Sequence, residues 1–356
     1  MKKVLVCPLD WGIGHATRCV PLIHLLMKQD FEVIIATDGR PFDFLLREFP
    51  GIRMIRLPGI RVTYPPNSGM FLKMLRFAPA FLKSIRKEHE LLQRIVGETG
   101  ADLVISDNRY GCWHRDKPSI FITHQLEIQL PKFLGFLTTV FRRMNYHYIR
   151  RFSECWIPDF EAHRGLAGDL SHPSILPDHS HYIGILSRFS LQPSLDAQPI
   201  RFDIMVMLSG PEPQRSFLET KILNQLLNIN LQAVVVRGLP EIREAYVLDE
   251  HIHVFSHLET PALQKLMMQS GLIVCRSGYS SIMDVVTLGR RAIFIPTPGQ
   301  TEQEYLARYL MEKKIFFSMP QQGFDLIYAL ELSNNFPGMV IRNDYQSLRE
   351  RIQSKI

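Results

Sequence analysis

The sequence lacks three features that would each indicate a common class of protein: paired cysteines, a long apolar run and an acidic metal motif. Its five cysteines include no Cys-x-x-Cys pair, which argues against a zinc site or a disulfide framework and favours a reducing cytosol. No stretch reaches the roughly 18 apolar residues of a membrane-spanning helix, and the polar start predicts no signal peptide. Because no Asp-x-Asp motif is present, we expect no metal site. We predict a cytoplasmic protein, either soluble or peripheral on the inner face of the cell membrane.

Basic residues are concentrated in two segments of the first half, although the whole chain carries a formal net charge of only +6. Residues 70–94 hold six Lys or Arg against two Glu, and residues 132–151 hold five Lys or Arg and no acid. This distribution predicts a specific anionic partner for the first half of the chain.

Short runs of Val, Ile and Leu alternate with helical patterns along the chain. Such runs are typical of strands that are buried on both faces of a parallel sheet. The first series is Lys3–Pro8, Glu32–Thr37, Arg53–Leu57, Leu103–Ser106 and Ser119–Thr123, and a second series starts at Asp203. A linker rich in proline and polar residues, 186–203, lies between them. Because 356 residues are long for one core, we predict an α/β protein with two doubly wound Rossmann-like domains and a cleft between them.

A glycine-containing turn follows the first predicted strand in the segment "WGIGHATR". Gly12 and Gly14 allow the backbone to turn tightly into a helix whose N-terminus could meet an anion. A dinucleotide fingerprint would need a third glycine where Thr17 stands, but Asp38 ends the second strand, so a nicotinamide site remains an alternative. His15 is a candidate general base, and the alternative is a solvent-exposed histidine at the start of a helix.

The second half contains two further turns between a strand and a helix. "LIVCRSGYSSIMD" places Arg276, Ser277 and Gly278 directly after a buried strand, and "MLSGPEPQR" places Ser209 and Gly210 after another. Backbone N–H groups at such turns bind anions. Two of them in one domain predict a surface that binds a diphosphate.

These motifs together resemble glycosyltransferase family 28, the GT-B type that includes MurG and monogalactosyldiacylglycerol synthase. "GIGHATRCVP" resembles the glycine-rich loop of that family, "CRSGYSSIMD" its donor motif, and "PTPGQTEQEYLARYLMEK" its glutamine-rich stretch. The resemblance implies an acceptor-binding domain at residues 1–190 and a nucleotide-sugar-binding domain at 200–340. In this fold a C-terminal helix at about 342–356 can cross back onto the first domain.

The resemblance also implies roles for individual residues. Asp284 stands where the family has a glutamate that binds the ribose of UDP. Apart from the resemblance, Asp107 and His124 are reserve catalytic candidates because both lie at predicted strand ends of the first domain. The alternatives for Asp107 are that it orients His15 or that it only caps a loop. The expected donor-binding residues are Ser209, Gly210, Arg215, Phe255, Arg276, Ser277, Gly278, Asp284, Gln300, Glu302 and Gln303. The expected acceptor-side residues are Gly12, Gly14, Tyr110 and His124, beside the catalytic His15.

The implied reaction is the transfer of a sugar from a UDP-sugar to a lipid-linked or membrane-associated acceptor. The transfer is inverting and independent of metal, and the expected sugar is GlcNAc. The UDP-sugar is the donor substrate, and no separate cofactor is expected. Three alternatives remain open at this point: a sugar-nucleotide epimerase of related fold, a nicotinamide-dependent oxidoreductase, and a non-catalytic nucleotide- or lipid-binding protein.

The two basic segments carry apolar residues as well. Residues 70–87 place their apolar and basic side chains on opposite sides of a predicted helix, which Pro79 is expected to break or kink. One interpretation is a helix that rests on anionic lipid, with 132–151 as a second contact. The other is an ordinary surface helix that packs on its own domain. We expect no nucleic-acid partner, because these residues form no recognised nucleic-acid module.

Overall fold

The computed structural model describes residues 1–59, 70–129, 132–191 and 198–355, and the side chains at 70–78, 132–134 and 164 lie outside this description. The chain divides into two compact units. Among the described residues, the first unit holds 1–59, 71–186 and 343–355, and the second holds 187–342. Each unit is built around its own sheet.

The first unit has a parallel sheet in which the described strands follow the order β3-β2-β1-β4-β5-β6-β7. The strands are β1 (Lys3–Pro8), β2 (Glu32–Thr37), β3 (Arg53–Arg56), β4 (Leu103–Asp107), β5 (Ser119–Ile122), β6 (Glu154–Ile157) and β7 (Ser180–Tyr182). The helices are α1 (Ile13–Lys28), α2 (Gly39–Glu48), α3 (Met70–Thr99) and α4 (Thr138–Ile149), with short 3₁₀ turns at Lys132–Leu137, Ala162–Arg164 and Gly168–Leu170.

The central strands of this sheet are mainly apolar and buried, with Ser106 and Asp107 as polar residues at the carboxyl end of β4. Val4, Leu5 and Val6 of β1 are completely buried, as expected for a central parallel strand. The strand order reverses between β1 and β4, where Pro8 pairs with Asp107. Open α/β sheets bind ligands at the carboxyl ends of strands beside such a reversal. We therefore expect a ligand-binding site at the segments that follow β1 and β4.

The second unit repeats this architecture with the strand order β10-β11-β9-β8-β12-β13-β14 among its described residues. The strands are β8 (Phe202–Met207), β9 (Ala233–Val236), β10 (Ala245–Asp249), β11 (Ile252–Phe255), β12 (Ser270–Cys275), β13 (Ala292–Phe294) and β14 (Phe317–Ser318). The helices are α5 (Gln214–Leu226), α6 (Thr260–Met268), α7 (Tyr279–Thr287), α8 (Thr301–Glu312) and α9 (Leu326–Ser333). Only β10 runs antiparallel among these described pairs, at the edge beside β11.

The order in the second sheet reverses between β8 and β12, where Met207 pairs with Cys275. The two Ser-Gly turns predicted to bind a diphosphate follow these two strands directly. They consequently lie at the carboxyl edge beside the reversal, the position at which this fold class binds ligands.

The last helix, α10 (Gln346–Gln353), belongs to the first unit. Ser347 Oγ donates to the carbonyl of Tyr182 at 3.2 Å, and Lys355 forms an ion pair with Glu154. Asn343 Nδ2 donates to the carbonyl of Ile185 at 2.7 Å. These contacts hold the end of the chain against β6 and β7.

Pro79 was expected to break or kink the helix, and a break is excluded because α3 runs as one helix of 30 residues from Met70 to Thr99. The kink stays a prediction. A proline removes only one backbone donor, and burial of the later turns compensates for that loss, since Ile85, Leu92 and Ile95 are buried. In the described part of α3, Phe81 also contacts the rings of Trp11 and Tyr110 at centroid distances of 6.3 and 6.2 Å.

Candidate active site

In the first unit the candidate site begins with the turn after β1. Gly12 precedes α1 with φ of 145°, a conformation that side chains rarely adopt, so the turn requires glycine. No side chain caps the helix at this position. Gly14 lies in the first turn of α1, where its carbonyl accepts a hydrogen bond from the hydroxyl of Thr17 at 2.9 Å. Thr17 thereby replaces the last glycine of a dinucleotide fingerprint with a helix-stabilising contact.

His15, on the first turn of α1, lies beside Asp107 at the end of β4. The distance from His15 Nδ1 to Asp107 Oδ1 is 2.7 Å. The imidazole is 20% exposed, whereas the carboxylate is buried. The geometry matches the prediction that Asp107 orients His15, because the carboxylate accepts the Nδ1 proton and leaves Nε2 as the proton acceptor.

Arg18 binds the same carboxylate. Its guanidinium donates from Nε to Asp107 Oδ2 and from Nη2 to Oδ1, a bidentate pair. Burial raises the pKa of Asp107, but the charge of Arg18 and the hydrogen bonds from Arg18 and His15 outweigh burial and hold that pKa well below its usual range. Burial raises the pKa of the neighbouring Cys19 thiol, whose Sγ lies 3.5 Å from Asp107. Asp107 is therefore ionised while Cys19 stays neutral.

His124 joins this cluster from the segment after β5, and Tyr110 lies elsewhere. His124 is buried, and its Nδ1 lies 3.1 Å from Arg18 Nη1. The Tyr110 hydroxyl donates to Asn145 at 2.9 Å, and its ring stacks on Phe121. Burial raises the pKa of Tyr110, so its hydroxyl stays protonated at neutral pH.

Sequence reasoning missed two arginines around this edge. Arg18 stands three residues after His15, a spacing that puts both on one helix face, and this spacing was the available signal. Arg109 is buried and donates to Glu88 Oε1 at 2.7 Å and to the carbonyls of Pro8 and Leu57 at 3.3 and 2.9 Å. It ties the carboxyl end of β1 to the segment after β3, and no local pattern announces that role.

In the second unit the turn after β12 contains the predicted donor residues. Arg276 is buried and points back into its own unit, where it donates to Gln321 Oε1 at 2.7 Å and to the carbonyl of Gln214 at 2.9 Å. Burial among these neutral partners lowers the pKa of Arg276 to about 10. The guanidinium thus connects the turn to Gln214 and Gln321 of its own unit. This arrangement differs from the direct contact with the donor substrate that was expected for Arg276.

Ser277, Gly278 and Gln303, which are expected to contribute to one binding surface, lie close together. Ser277 Oγ donates to the carbonyl of Gln303 at 2.8 Å, and Gln303 Oε1 accepts from the backbone N–H of Thr297 at 2.8 Å. Gly278 precedes α7, which has no side-chain cap. The N-terminus of an uncapped helix offers N–H donors and a positive dipole to an anion.

The loops after β8 and β13 lie close to each other. Gly210 has φ of 101°, and a Cβ atom placed on it would lie 3.7 Å from Thr297 Oγ1. Gln300 caps α8 without a side-chain hydrogen bond to its backbone, and the partly exposed Glu302 lies in the first turn. Ser209 precedes Gly210 and is also partly exposed.

Arg215 lies in an ion-pair network. It contacts Glu212 and Glu219, and Glu219 also contacts Arg237. Burial lowers the pKa of Arg215, but the hydrogen bonds to the two glutamates and their charges outweigh burial and raise it above its usual value. Two carboxylates therefore compete with any phosphate for this guanidinium.

Asp284 lies in the second unit beside the residues that open that unit. Its Oδ1 accepts from Ser187 Oγ at 2.7 Å and its Oδ2 from Arg188 Nε at 3.1 Å. Burial is the largest influence on the pKa of Asp284 and raises it, although Arg188 and Ser187 oppose this shift. A ribose diol would have to displace one of these partners to reach the carboxylate. Phe255 ends β11 half-buried and pairs with Ala245 of β10.

The chain is similar to one protein family and to several solved structures. Residues 219–344 match the glycosyltransferase family 28 C-terminal domain. A comparison with curated protein sequences finds no significant match.

Several solved structures that are similar to this chain are glycosyltransferases. MurG of Acinetobacter baumannii shares 15% identity at a TM-score of 0.57, over 99% of this chain and 100% of that chain. The glycosyltransferase of kitacinnamycin shares 14% identity at 0.63, over 99% of each chain. The spinosyn rhamnosyltransferase SpnG shares 13% identity at 0.64, over 99% and 100%. Similarity at such low identities shows the fold alone. The family match at residues 219–344 is what indicates glycosyltransferase activity.

The protein is a glycosyltransferase with a GT-B fold and a family 28 C-terminal domain. The predicted fold class and the predicted enzyme class, a UDP-sugar-dependent glycosyltransferase, are confirmed. The matched region of this glycosyltransferase includes the turn at Arg276–Gly278, the helix that carries Asp284 and the stretch that carries Gln300 and Gln303. Asp38, the residue that kept the nicotinamide alternative open, forms an ion pair with Arg56.

Proposed function

We propose that the protein transfers GlcNAc from UDP-GlcNAc to a hydroxyl group of a lipid-linked acceptor, with inversion at the anomeric carbon and with His15 as the general base. The observation that carries this proposal is the His15–Asp107 hydrogen bond of 2.7 Å at the strand reversal of the first unit. An imidazole held by a buried carboxylate is the usual arrangement for accepting a proton from a hydroxyl group.

The proposed reaction follows from the proton positions at this dyad. His15 Nδ1–H donates to Asp107, and Nε2 takes the proton of the acceptor hydroxyl as its oxygen attacks the anomeric carbon. The new glycosidic bond forms on the face opposite the nucleotide while the bond to the diphosphate oxygen breaks. UDP leaves with that electron pair. The ionised Asp107 stabilises the imidazolium that forms on His15.

The donor would bind at the carboxyl edge of the second sheet. Ser277, Gly278 and the N-terminus of α7 would meet the diphosphate charge with amide donors, and Gln303 and Gln300 would meet the sugar. SpnG has also been solved with thymidine diphosphate, at 11% identity and a TM-score of 0.61 to this chain. A nucleoside diphosphate in a relative of this fold supports the same ligand class here.

A lipid-linked acceptor would require contact with a membrane, and one surface of the first unit fits an anionic bilayer. Phe136, Val140 and Met144 follow each other at intervals of four residues and are 77%, 59% and 43% exposed. Arg143 and Arg150, on and after α4, are exposed near this ridge. An exposed apolar ridge with basic neighbours binds anionic lipid in two ways: its apolar side chains enter the bilayer interface, and its basic side chains are attracted to the anionic head groups. No helix among the described residues is long and apolar enough to cross a membrane.

The described part of residues 70–87 contributes less to such a contact. Ile85 on its apolar side is buried within the unit, which favours a surface helix that packs on its own domain. Lys83, Arg86 and Lys87 are exposed and would add only charge. The apolar positions before residue 79 lie outside the described side chains.

Transfer from radiolabelled UDP-GlcNAc to extracted membrane lipid tests the reaction. We expect labelled lipid, and NMR of the product should show the anomeric configuration inverted. His15→Ala should lower kcat by about 10²- to 10⁴-fold while UDP still protects the protein against heat. At about 100-fold excess over its Kd a ligand adds roughly 2.7 kcal/mol to stability. The matched control is His24→Ala on the same helix.

The competing outcomes are distinct. An altered sugar without labelled lipid would indicate an epimerase, and heat protection by UDP without turnover would indicate a binding protein. Equal loss of activity in His15→Ala and His24→Ala would refute the catalytic role of His15.

Sedimentation with vesicles of phosphatidylcholine and phosphatidylglycerol tests the membrane surface. We expect the fraction bound to rise with phosphatidylglycerol and to fall with salt, because surface charges are screened. Val140→Ser combined with Met144→Ser should reduce binding. The control is Ile327→Ser, a 62% exposed apolar residue of the second unit. Equal binding of both variants would refute this surface.

A further inference from the structure

Arg18 contacts both Asp107 and His124 in the first unit. It is 2% exposed, so its charge is not solvated by bulk water. Two of its nitrogens bind the two oxygens of Asp107, and the third, Nη1, lies 3.1 Å from His124 Nδ1. All three guanidinium nitrogens are thus used within one polar cluster.

The contact with His124 determines where the proton of that imidazole sits. A guanidinium nitrogen can only donate, so His124 Nδ1 accepts and the ring carries its proton on Nε2. Asp107 is ionised and can only accept, so His15 carries its proton on Nδ1. The two histidines consequently have opposite proton positions, one with an accepting Nε2 and the other with a donating Nε2.

The contact with Asp107 determines the charge of His15. The partners of Asp107 among the described residues are His15, Arg18 and Cys19. Burial raises the pKa of the Cys19 thiol, so this thiol stays neutral. The guanidinium of Arg18, which is always charged, is therefore the positive charge that balances the buried carboxylate. If Arg18 were absent, Asp107 could be neutralised only by a proton that it keeps or by a proton that His15 takes up. A protonated His15 could not act as a base.

We propose that Arg18 is a positioning residue that keeps Asp107 ionised, keeps His15 neutral and holds His124 in its Nε2-protonated form. This inference rests on the proposed base-catalysed transfer for its kinetic consequence, whereas its consequence for the proton positions stands independently of the reaction. The titratable and charged groups that surround the dyad come from four segments: Cys7 on β1, Arg18 and Cys19 on α1, Asp107 on β4, and His124 after β5.

Rate profiles between about pH 5 and about pH 9 give the kinetic test. In Arg18→Gln we expect kcat at neutral pH to fall by about 10- to 100-fold with the KM for the donor unchanged. The acid limb of the profile should move to higher pH, because His15 now takes up the proton that neutralises Asp107. Arg18→Lys should return the acid limb towards its original position, since it restores the charge, but should recover kcat only in part, since an ammonium cannot reproduce the bidentate fork.

The matched control is Lys28→Gln, which removes one exposed positive charge from the other end of the same helix. A fall in kcat without any shift of the acid limb would mean that Arg18 has only a structural role and would overturn the proposal. An equal shift of the acid limb in Lys28→Gln would overturn it as well.

Imidazole ¹⁵N NMR on histidine-labelled wild-type protein, without substrate, separates this inference from the proposed function. We expect one resonance pattern for an Nδ1-protonated ring at His15 and another for an Nε2-protonated ring at His124, each assigned by His15→Gln and His124→Gln. These patterns in a protein that shows no transfer would uphold the role of Arg18 and refute the reaction. Identical proton positions on the two rings, in an active enzyme, would overturn the role of Arg18.

Discussion

Replacing Asp107 by asparagine removes one negative charge from the centre of the cluster at the carboxyl edge of the first sheet. The carboxylate receives Arg18 Nε on one oxygen, and Arg18 Nη2 and His15 Nδ1 on the other. An asparagine side chain has one oxygen and one NH₂ group. In either orientation of the amide, its NH₂ group faces a donor of Arg18, so two donors meet without an acceptor. The guanidinium of Arg18 also loses the negative charge that balances it.

The magnitude for stability follows from the burial of both partners. Asp107 and Arg18 are each at most 2% exposed, and breaking a buried ion pair by removing one partner costs about 3–5 kcal/mol. In the folded protein the charge of Arg18 and the hydrogen bonds from Arg18 and His15 outweigh burial and lower the pKa of Asp107. The group therefore stabilises the fold at any pH above its unfolded pKa of about 3.9, and this contribution is lost as the pH falls further.

Urea unfolding of the wild type and of Asp107→Asn from neutral pH down to about pH 3 measures this contribution. We expect the two free energies of unfolding to differ by about 3–5 kcal/mol at neutral pH and to converge below about pH 4. A difference that stays constant with pH would refute the electrostatic explanation. For activity, we expect kcat to fall by about 10²- to 10⁴-fold, because His15 loses the acceptor that fixes its proton.

Three further substitutions have outcomes that the structure determines. Gly12→Ala should lower the free energy of unfolding by about 1–3 kcal/mol in urea titrations, because φ of 145° strains any side chain; an unchanged value would contradict the turn. Arg109→Met should cost about 3–5 kcal/mol since it leaves the buried Glu88 unpaired, and retention of full stability would exclude that ion pair. Asp284→Asn should lower the free energy of unfolding by less than Asp107→Asn does, because burial raises the pKa of Asp284 and its charge opposes folding above about pH 3.9, which offsets part of the cost of leaving the buried Arg188 without its carboxylate; an equal or larger loss would contradict this difference. Calorimetric titration of Asp284→Asn with UDP tests the ribose role separately, and an unchanged affinity would refute it.

The contrast between Asp107 and Asp284 shows why their roles could not be ranked from the sequence. Both are aspartates in segments that the motifs single out, and both are buried. Asp107 is held by a bidentate arginine and a histidine, whereas Asp284 is held by one guanidinium nitrogen, one hydroxyl and the backbone of Arg188. The kind of donors around each carboxylate depends on chain segments about 90 residues or more away, and no local pattern encodes it.

Several strands show the same limit. β1, β2, β4 and β5 were predicted because a central parallel strand is a continuous apolar run. β6 (Glu154–Ile157), β7 (Ser180–Tyr182), β10 (Ala245–Asp249) and β14 (Phe317–Ser318) were not predicted. They are short or lie at sheet edges, where one neighbouring strand supplies the pairing and the apolar pattern is weak.

The sequence by itself determined the two α/β units and the positions of the glycine turns after β1 and β12, because apolar periodicity and turn chemistry are local properties. The enzyme class followed from the resemblance of its motifs to a glycosyltransferase family. It also placed His15 and Asp107 at strand ends, since a parallel sheet brings such ends to one edge. Only the tertiary structure decided that Arg18 joins Asp107 to His124 and that Arg276 points into its own unit. Those contacts depend on the direction of side chains from elements far apart in the chain, and that direction is set by packing.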